Sequence, residues 1–277
     1  MENAFNDKAF SKVPPSEGFR EAYILHLADD ALILGHRNSE WCGHGPVLEQ
    51  DIAITNISLD LIGQARNFYQ YAAALMNARK VSPTGGDLEG AATEDTLAYL
   101  RDNREFKNCL LVEQPNGDWA KTILRQFIFS TYQYYLYQQL ENSKDQQLAA
   151  IAEKSLKEVT YHLRWSSEWV IRLGDGTDES HQRMLKAIDE LWMYTGELFL
   201  ATSYELQAMS EETGVNVSLL KTKWEEKLKS VFEEATLPYP GKVFMQTGGK
   251  EGRHTEHLGF ILAELQFMQR AYPRCEW

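Results

Sequence analysis

Apolar residues recur every three or four positions along almost the whole chain, and this spacing limits the fold more than any other feature. The clearest example is the second predicted helix, which follows Pro46 and runs to about Ala78. Its apolar row occupies one helix face: Ile54, Ile57, Leu61, Ala65, Phe68, Ala72 and Leu75. The sequence has no alternating strand pattern of useful length and no fixed-period repeat. Long amphipathic helices with short connections pack as antiparallel neighbours, which predicts an all-α helical bundle.

The same spacing predicts the remaining helices and the domain organisation. A broken helical stretch is expected over 94–112, and Asp118 is the expected N-cap of a long third helix. A fifth long helix is expected over 184–206, followed by further helices near the C-terminus. Residues 80–93 and 238–252 are predicted loops. Residues 1–18 are predicted to be a flexible leader, and residues 19–277 a single domain.

Composition narrows the possible functions. The 277 residues include 28 Lys and Arg against 40 Asp and Glu, a net charge of −12. So acidic a chain is repelled by nucleic acid and by anionic membrane surfaces. No apolar run approaches the roughly 20 residues of a membrane helix, and no secretory signal is present at the N-terminus. Cys42, Cys109 and Cys275 are too far apart in sequence for a disulfide framework or a zinc site, which favours a reduced, cytoplasmic compartment.

Long helical bundles can hold a carboxylate-bridged metal pair, so we searched for its ligands. Such sites take a Glu from each of two helices and a Glu-x-x-His from each of the other two. The second helix offers Asp60, but Gly63 stands where the histidine belongs. The fourth offers Glu158, with Tyr161 at the histidine position and His162 one residue later.

The third helix weakens the case for a metal pair further, because it has no carboxylate between Asp118 and Glu141. Its polar stripe is neutral and consists of Thr122, Gln126, Ser130 and Gln133. The sequence therefore predicts a polar, metal-free interior in which the ligand positions are degenerate. The alternative is a di-iron or di-manganese oxidase in its own right. On the first helix either Asp29 or Asp30 could face inward and complete such a site. The ligands would then be residues such as Asp30, Asp60, Glu158 and His162.

Two histidine groups are weaker candidates. Cys42 and His44 have the residue types of a thiolate–imidazole pair, but no further partner lies nearby in sequence. His254 and His257 lie near the start of the last helix and suit a metal or an acid–base site. Helix capping and packing are the favoured explanations for both histidines of the second group.

Two charged segments have structural and functional interpretations. The glycine-rich segment 248–253 lacks the spacing of a phosphate-binding P-loop and is predicted to be a flexible or partner-docking loop. The basic residues Arg101, Arg104 and Lys107 are typical of a solvated helix face. Contact with an anionic ligand is the alternative for this basic group.

Two helix faces are candidates for contact with a partner. The second helix carries a polar stripe at helical spacing that consists of Asn56, Asp60, Gln64 and Asn67. Such a stripe favours a solvated or partner-facing surface over an inward hydrogen-bonded network. The third helix has more aromatic residues than one face can bury: Trp119, Phe127, Phe129, Tyr132, Tyr134, Tyr135 and Tyr137. They predict a partner surface, and burial by neighbouring helices of the same chain is an equally open alternative.

Several of these segments together resemble one family, the C subunits of phenylacetyl-CoA 1,2-epoxidases, which act in phenylacetate degradation. The resemblance covers about residues 21–277 and rests on segments that match in order: Glu40-Trp41-Cys42-Gly43-His44, Asn56-Ile57, Leu59-Asp60-Leu61, Gly63-Gln64-Ala65-Arg66-Asn67, Leu111-Val112-Glu113-Gln114-Pro115-Asn116-Gly117, Tyr161-His162-Leu163-Arg164, Thr247-Gly248-Gly249-Lys250 and His254-Thr255-Glu256-His257-Leu258-Gly259. It implies a ferritin-like helical bundle with additional C-terminal helices.

The resemblance also implies a role. In that family the A subunit carries the di-iron centre, and a reductase subunit passes electrons to it from NADPH. The C subunit has a similar fold without a working metal site and pairs with A as a structural, non-catalytic partner. We therefore expect this chain to bind no cofactor itself and to pair with an A subunit, with phenylacetyl-CoA at the subunit interface.

The family resemblance suggests two segments that approach the CoA moiety. The first consists of Glu105, Phe106, Lys107 and Asn108, next to the basic group. The second lies at the end of the predicted fifth helix and consists of Leu206, Gln207 and Ala208. A free-standing acyl-CoA-binding module remains a third interpretation of the same residues.

Overall fold

The structure of the chain is a computed structural model that describes residues 18–80, 90–272 and 275. Within these residues there are eleven α-helices, five short 3-10 turns and no strand, so the predicted all-α class is confirmed. The predicted flexible leader, apart from Gly18, and residues 81–89 of the first predicted loop lie outside the described residues.

Four long helices form the bundle: α1 (Phe19–Ser39), α2 (Leu48–Lys80), α5 (Trp119–Leu140) and α6 (Gln146–Gly174). The pairs α1–α2 and α5–α6 pack most extensively, and α2 also contacts α6. A glycine makes the first pairing close, because a Cβ on Gly35 would lie 3.1 Å from Leu61 Cβ and 3.2 Å from Ile62 Cγ1. The predicted bounds of α2 and the predicted cap Asp118, which accepts from Lys121 N at 3.0 Å, are confirmed.

Shorter helices surround the bundle: α3 (Glu94–Tyr99), α4 (Leu110–Glu113), α7 (Asp178–Leu191), α8 (Ser203–Ser210), α9 (Leu220–Glu234), α10 (Glu256–Leu265) and α11 (Phe267–Ala271). Helix α8 packs against α1, α9 against α5 and α6, and α10 against α4 and the 3-10 turn Asn103–Glu105. The additional C-terminal helices that the sequence predicted are therefore present.

The predicted fifth long helix over 184–206 is wrong. Helix α7 ends at Leu191, two 3-10 turns follow, and a separate helix, α8, begins at Ser203. A local cap explains the restart, since the Glu205 carboxylate accepts from Thr202 N at 2.8 Å and the Thr202 hydroxyl caps the helix in return. This reciprocal capping box fixes a helix start that apolar spacing does not reveal.

The aromatic residues of α5 are covered largely by the chain's own helices. Phe127, Phe129, Tyr132 and Tyr137 are buried in the single apolar core cluster, and the other three pack against it. For these aromatic residues the structure therefore supports burial within the chain rather than a partner surface.

Two further sequence features can be placed. In the described part of the chain, no helix is both long and apolar enough to cross a membrane. The three cysteines are free thiols, of which Cys42 and Cys275 are exposed and Cys109 is buried.

Candidate functional site

The first predicted substrate segment, residues 105–108, connects the 3-10 turn Asn103–Glu105 to α4. Phe106 and Asn108 are buried, Lys107 is half-buried, and Glu105 is exposed. Side chains therefore alternate between the protein interior and its surface along this extended stretch.

The second predicted segment lies on α8, where Leu206 is exposed, Gln207 is half-buried and Ala208 is buried. The first segment reaches the start of α8, because Lys107 Nζ lies 5.4 Å from the centre of the Tyr204 ring. An ammonium group over an aromatic face is a favourable arrangement. The structure thus brings Lys107 next to α8, the helix that contains the second segment about a hundred positions later in sequence.

His26 of α1 lies between these segments. Its Nδ1 is 2.8 Å from the Lys107 carbonyl oxygen, and its Nε2 is 3.7 Å from Glu205 Oε1 on α8. Through this imidazole, α1 contacts both the 105–108 segment and α8.

Asp29 of α1 fixes the start of the 105–108 segment. Its carboxylate accepts hydrogen bonds from the Arg101 guanidinium, from Tyr69 OH at 2.6 Å and from Lys107 N at 2.8 Å. The Arg101 guanidinium also lies 4.2 Å from the centre of the Phe106 ring. The predicted solvated face is therefore wrong for Arg101, whose charge is buried and paired with Asp29.

Asp30, the next residue on α1, accepts from Cys109 N at 2.7 Å and lies 3.6 Å from His26 Nδ1. Burial raises the pKa of Asp30 to about 6, and the nearby His26 and the Cys109 amide offset only part of this effect. Asp29 and Asp30 thus face inward, as expected, but they bind backbone and side-chain donors of the 101–109 region.

Besides Arg101 and Asp29, Lys250 and Glu205 form a buried ion pair in this region. Lys250 Nζ donates to Glu205 Oε1 at 2.9 Å and to the Leu200 carbonyl oxygen at 3.3 Å, and both charged residues are 1% exposed. Burial alone would raise the pKa of Glu205, but the charges of Lys250 and His26 outweigh it, so this pKa lies below its usual value.

Glu197 holds the loop that contains Lys250. Its Oε1 accepts from Gly248 N at 2.7 Å, and its Oε2 accepts from Leu110 N at 2.8 Å. A Cβ on Gly249 would lie 2.5 Å from the Asn108 carbonyl oxygen, so only glycine permits this approach to the 105–108 segment. These backbone and ion-pair contacts anchor 248–253 and do not fit the flexible alternative, whereas the partner-docking alternative stays a prediction.

His254 forms a second buried pair, with Glu113 of α4. Its Nδ1 is 2.8 Å from Glu113 Oε2, and its Nε2 is 2.9 Å from the Phe106 carbonyl oxygen. Burial alone would lower the pKa of His254, but the hydrogen bond and charge of Glu113 outweigh it and raise the pKa. Since both ring nitrogens face acceptors, the imidazolium form satisfies both contacts.

We call this set of buried charged residues the polar junction: His26, Asp29, Asp30, Arg101, Glu113, Glu197, Glu205, Lys250 and His254. Its charges pair with one another or with backbone amides, so the junction is a rigid support for the 105–108 segment. Glu105, Lys107, Leu206 and Gln207 are the candidates that reach the surface beside it. Phe106, Asn108 and Ala208 hold the segments in place from inside.

The degenerate metal positions lie where α2 meets α6. His162 Nε2 is 2.9 Å from Asp60 Oδ2, and Gln64 Nε2 donates to Glu158 Oε2 at 2.9 Å. Tyr161, which precedes His162 on α6, is exposed. Gly63 on α2 is exposed as well.

The polar stripe of α2 divides between surface and interior. Asn56 is exposed and Gln64 is buried, while Asp60 and Asn67 are half-buried. The favoured surface interpretation is thus right for Asn56 and wrong for Gln64, which joins an inward hydrogen-bonded pair.

The polar stripe of α5 faces inward, and the hydrogen bonds that it makes are to neutral partners. Gln126 accepts from Asn38 Nδ2 at 2.6 Å and donates to Ser130 Oγ at 2.7 Å, while Thr122 accepts from Trp41 Nε1 at 2.9 Å. Among the described residues, no three His, Cys, Asp or Glu side chains are placed to hold a metal ion. With no carboxylate on α5 and with Asp60 of α2 and Glu158 of α6 engaged, the donor set does not fit a carboxylate-bridged metal pair.

The weaker histidine candidates have structural partners. His44 Nδ1 lies 3.1 Å from the Cys42 carbonyl oxygen rather than the thiol. His254 belongs to the polar junction, whereas His257, three residues later, is half-buried.

Sequence analysis missed four junction residues as a group: Glu113, Glu197, Glu205 and Lys250. The contacts that join them to the junction, such as Glu205–Lys250 and Glu113–His254, span 45 or more positions, so helical spacing carries no signal for them. The available signal was the cluster Gly248, Gly249 and Gly252, which is typical of close backbone approach.

Comparison with known proteins places the chain among relatives of one kind. Residues 17–277, which contain the whole polar junction, match the family model described as phenylacetic acid catabolic protein. A protein of Escherichia coli (strain K12), named as the C subunit of 1,2-phenylacetyl-CoA epoxidase, is 48% identical over 256 residues. The alignment covers 92% of this chain and 98% of that protein.

Proposed function

The chain belongs to the family of phenylacetic acid catabolic proteins, and from that membership we propose that it is the C subunit of a phenylacetyl-CoA 1,2-epoxidase. In this role it is a non-catalytic, cytoplasmic subunit that pairs with the di-iron A subunit and stabilises it. Electrons reach the iron of that partner from an NADPH-linked reductase. The observation that carries the proposal is the 48% identity to a curated C subunit over nearly the full length of both chains.

The side chains at the degenerate metal positions support a non-catalytic role. The neutral stripe of α5 supplies no carboxylate, and Asp60 and Glu158 already bind His162 and Gln64. Bridging metal ions need several free carboxylates to balance their charge. The chain is therefore proposed to bind no iron, and the catalytic chemistry belongs to its partner.

The polar junction supports the second part of the proposal, a contact with phenylacetyl-CoA at the interface with A. Lys107 is a half-buried cation beside Tyr204 of α8, the helix on which Leu206 is exposed and Gln207 half-buried. A positioned ammonium group suits the phosphates of CoA, which an acidic chain otherwise repels.

The test is epoxidation of phenylacetyl-CoA by the reconstituted complex with the double variant Glu158→Gln/His162→Gln. We expect the complex to assemble and to retain wild-type activity and iron content. Loss of activity in a complex that still assembles would instead favour the alternative, an oxidase with its own di-iron site.

A further inference from the structure

The N-terminal half of α2 has an exposed face that carries no charge after the exposed Glu49 at its edge. Leu48, Ile52 and Leu59 are 71%, 51% and 62% exposed. Between positions 52 and 63 the only charged residue is Asp60, and its carboxylate is engaged by His162 of α6. We call this surface the neutral face of α2 and define it by Leu48, Ile52, Asn56, Leu59, Ile62 and Gly63.

This face differs from the rest of the chain, in which a quarter of the residues are charged. The inner face of α2 is already filled by Ile54, Ile57 and Leu61, which are buried in the core. The outer residues are thus not needed for the chain's own core, and the solvated side of a helix is usually charged or polar. Depletion of charge together with exposed apolar side chains is typical of the centre of a protein interface.

Gly63 provides an independent observation. A glycine in a helix interior is unfavourable relative to alanine. Gly35 has an intramolecular reason, since its Cβ would press on Leu61, whereas a Cβ on Gly63 would meet nothing within 4 Å. The small residue therefore leaves room for a neighbour that is not part of this chain.

We infer that the neutral face of α2 is the surface on which a helix of the A subunit packs, an inference that rests on the proposed function. Residues 48–63 span about 24 Å at 1.5 Å per residue, enough for a partner helix to lie along them. Gly63 lets the two helix backbones approach, and the apolar residues around it exclude water. A second copy of this chain is a poorer occupant, because each copy carries a net charge of −12 and two copies repel.

The experiment measures the dissociation constant between this chain and its cognate A subunit. Gly63→Leu fills the open space, and Leu59→Glu adds a charge to the neutral face. Matched controls are Thr222→Leu and Leu219→Glu, at exposed positions on or next to α9, which packs against α5 and α6. We expect both α2 variants to bind the A subunit at least about tenfold more weakly, and both controls to bind as the wild type does.

Folding is checked by the melting temperature of the isolated chain. Gly63→Leu should melt at the same temperature as the wild type or higher, because leucine favours a helix and meets no obstruction. Loss of binding in this well-folded variant therefore reports on the interface.

Three outcomes would overturn the inference in distinguishable ways. If the α2 variants bind A as tightly as the controls, the inference fails and the proposed function stands. If the wild-type chain itself does not bind A, the proposed function fails as well. If the chain alone self-associates and the α2 variants abolish this, the occupant is a second copy.

Discussion

Lys250 shows how much a single buried charge contributes to the polar junction. Its Nζ is held between Glu205 Oε1 and the Leu200 carbonyl oxygen, out of contact with water. Removing one partner of such a pair leaves the other charge buried and uncompensated. We therefore expect Lys250→Met to destabilise the chain by about 3–5 kcal/mol in chemical denaturation.

The matched control is Lys242→Met, at an exposed position earlier in the same loop. It should change the free energy of unfolding by less than about 0.5 kcal/mol. A loss below about 1 kcal/mol for Lys250→Met would contradict the stabilising role given to this pair.

His254 makes the stability of the junction depend on pH. Its folded-state pKa is raised by Glu113 above the ordinary value of about 6.5. The stabilisation is therefore complete below that ordinary value and is lost as the pH rises through the raised one.

The measurement is the difference in unfolding free energy between the wild type and His254→Gln at several pH values. We expect about 2 kcal/mol at pH 6 and a smaller difference at pH 9. His257→Gln serves as the control. A difference that stays constant or grows with pH would rule out an imidazolium at position 254.

Lys107 is the cation of the candidate segments that remains accessible. With the A subunit present, Lys107→Gln should raise the KM for phenylacetyl-CoA about fivefold and leave kcat unchanged, because a phosphate contact far from the reacting ring acts on binding. Lys242→Gln should change neither. An unchanged KM for Lys107→Gln would remove this residue from the proposed substrate contact.

Sequence alone predicted single residues well only where the signal was local. The sequence indicated that either Asp29 or Asp30 of the first helix could face inward, and the structure buries both. Arg101 could not be predicted in the same way, because its partner Asp29 lies 72 positions earlier and the pairing depends on the folded chain.

At the scale of elements, the glycine-rich loop fixes the position of the 105–108 segment. Gly249→Ala places a Cβ 2.5 Å from the Asn108 carbonyl oxygen, so backbone must shift. We expect a loss of about 1–3 kcal/mol in unfolding free energy. Gly241→Ala, earlier in the same region, meets nothing within 4 Å and should be close to neutral. Equal effects of the two substitutions would contradict the close approach.

Helices whose apolar rows are long could be predicted from sequence. Helix α2 has such a row, and Asp118 begins α5 where its residue type predicts. The stretch between α7 and α8 could not be predicted, because the apolar spacing continues through it while tertiary contacts decide its backbone. In this stretch the Glu197 carboxylate accepts hydrogen bonds from backbone amides of a loop about fifty positions later, and Thr202 caps the start of a new helix.

At the scale of the whole molecule, two faces of the bundle have different tasks. The side that contains the polar junction holds the candidate substrate segments rigid. The neutral face of α2 lies outside the apolar core and is the surface that we propose for contact with the A subunit. The all-α class followed from helical spacing. The mismatch with a metal-ligand set among the described residues followed from one helix, α5, which carries no carboxylate.

The most direct test of the central claim, a C subunit that leaves the metal chemistry to its partner, is the metal content of the chain purified alone from iron-replete cells. Iron and manganese are measured per chain by elemental analysis. The account predicts a value near zero, because the neutral residues of α5 and the engaged carboxylates of α2 and α6 leave no ligand set for a metal pair. About two metal ions per chain would contradict it and identify the bundle as a metal-binding oxidase.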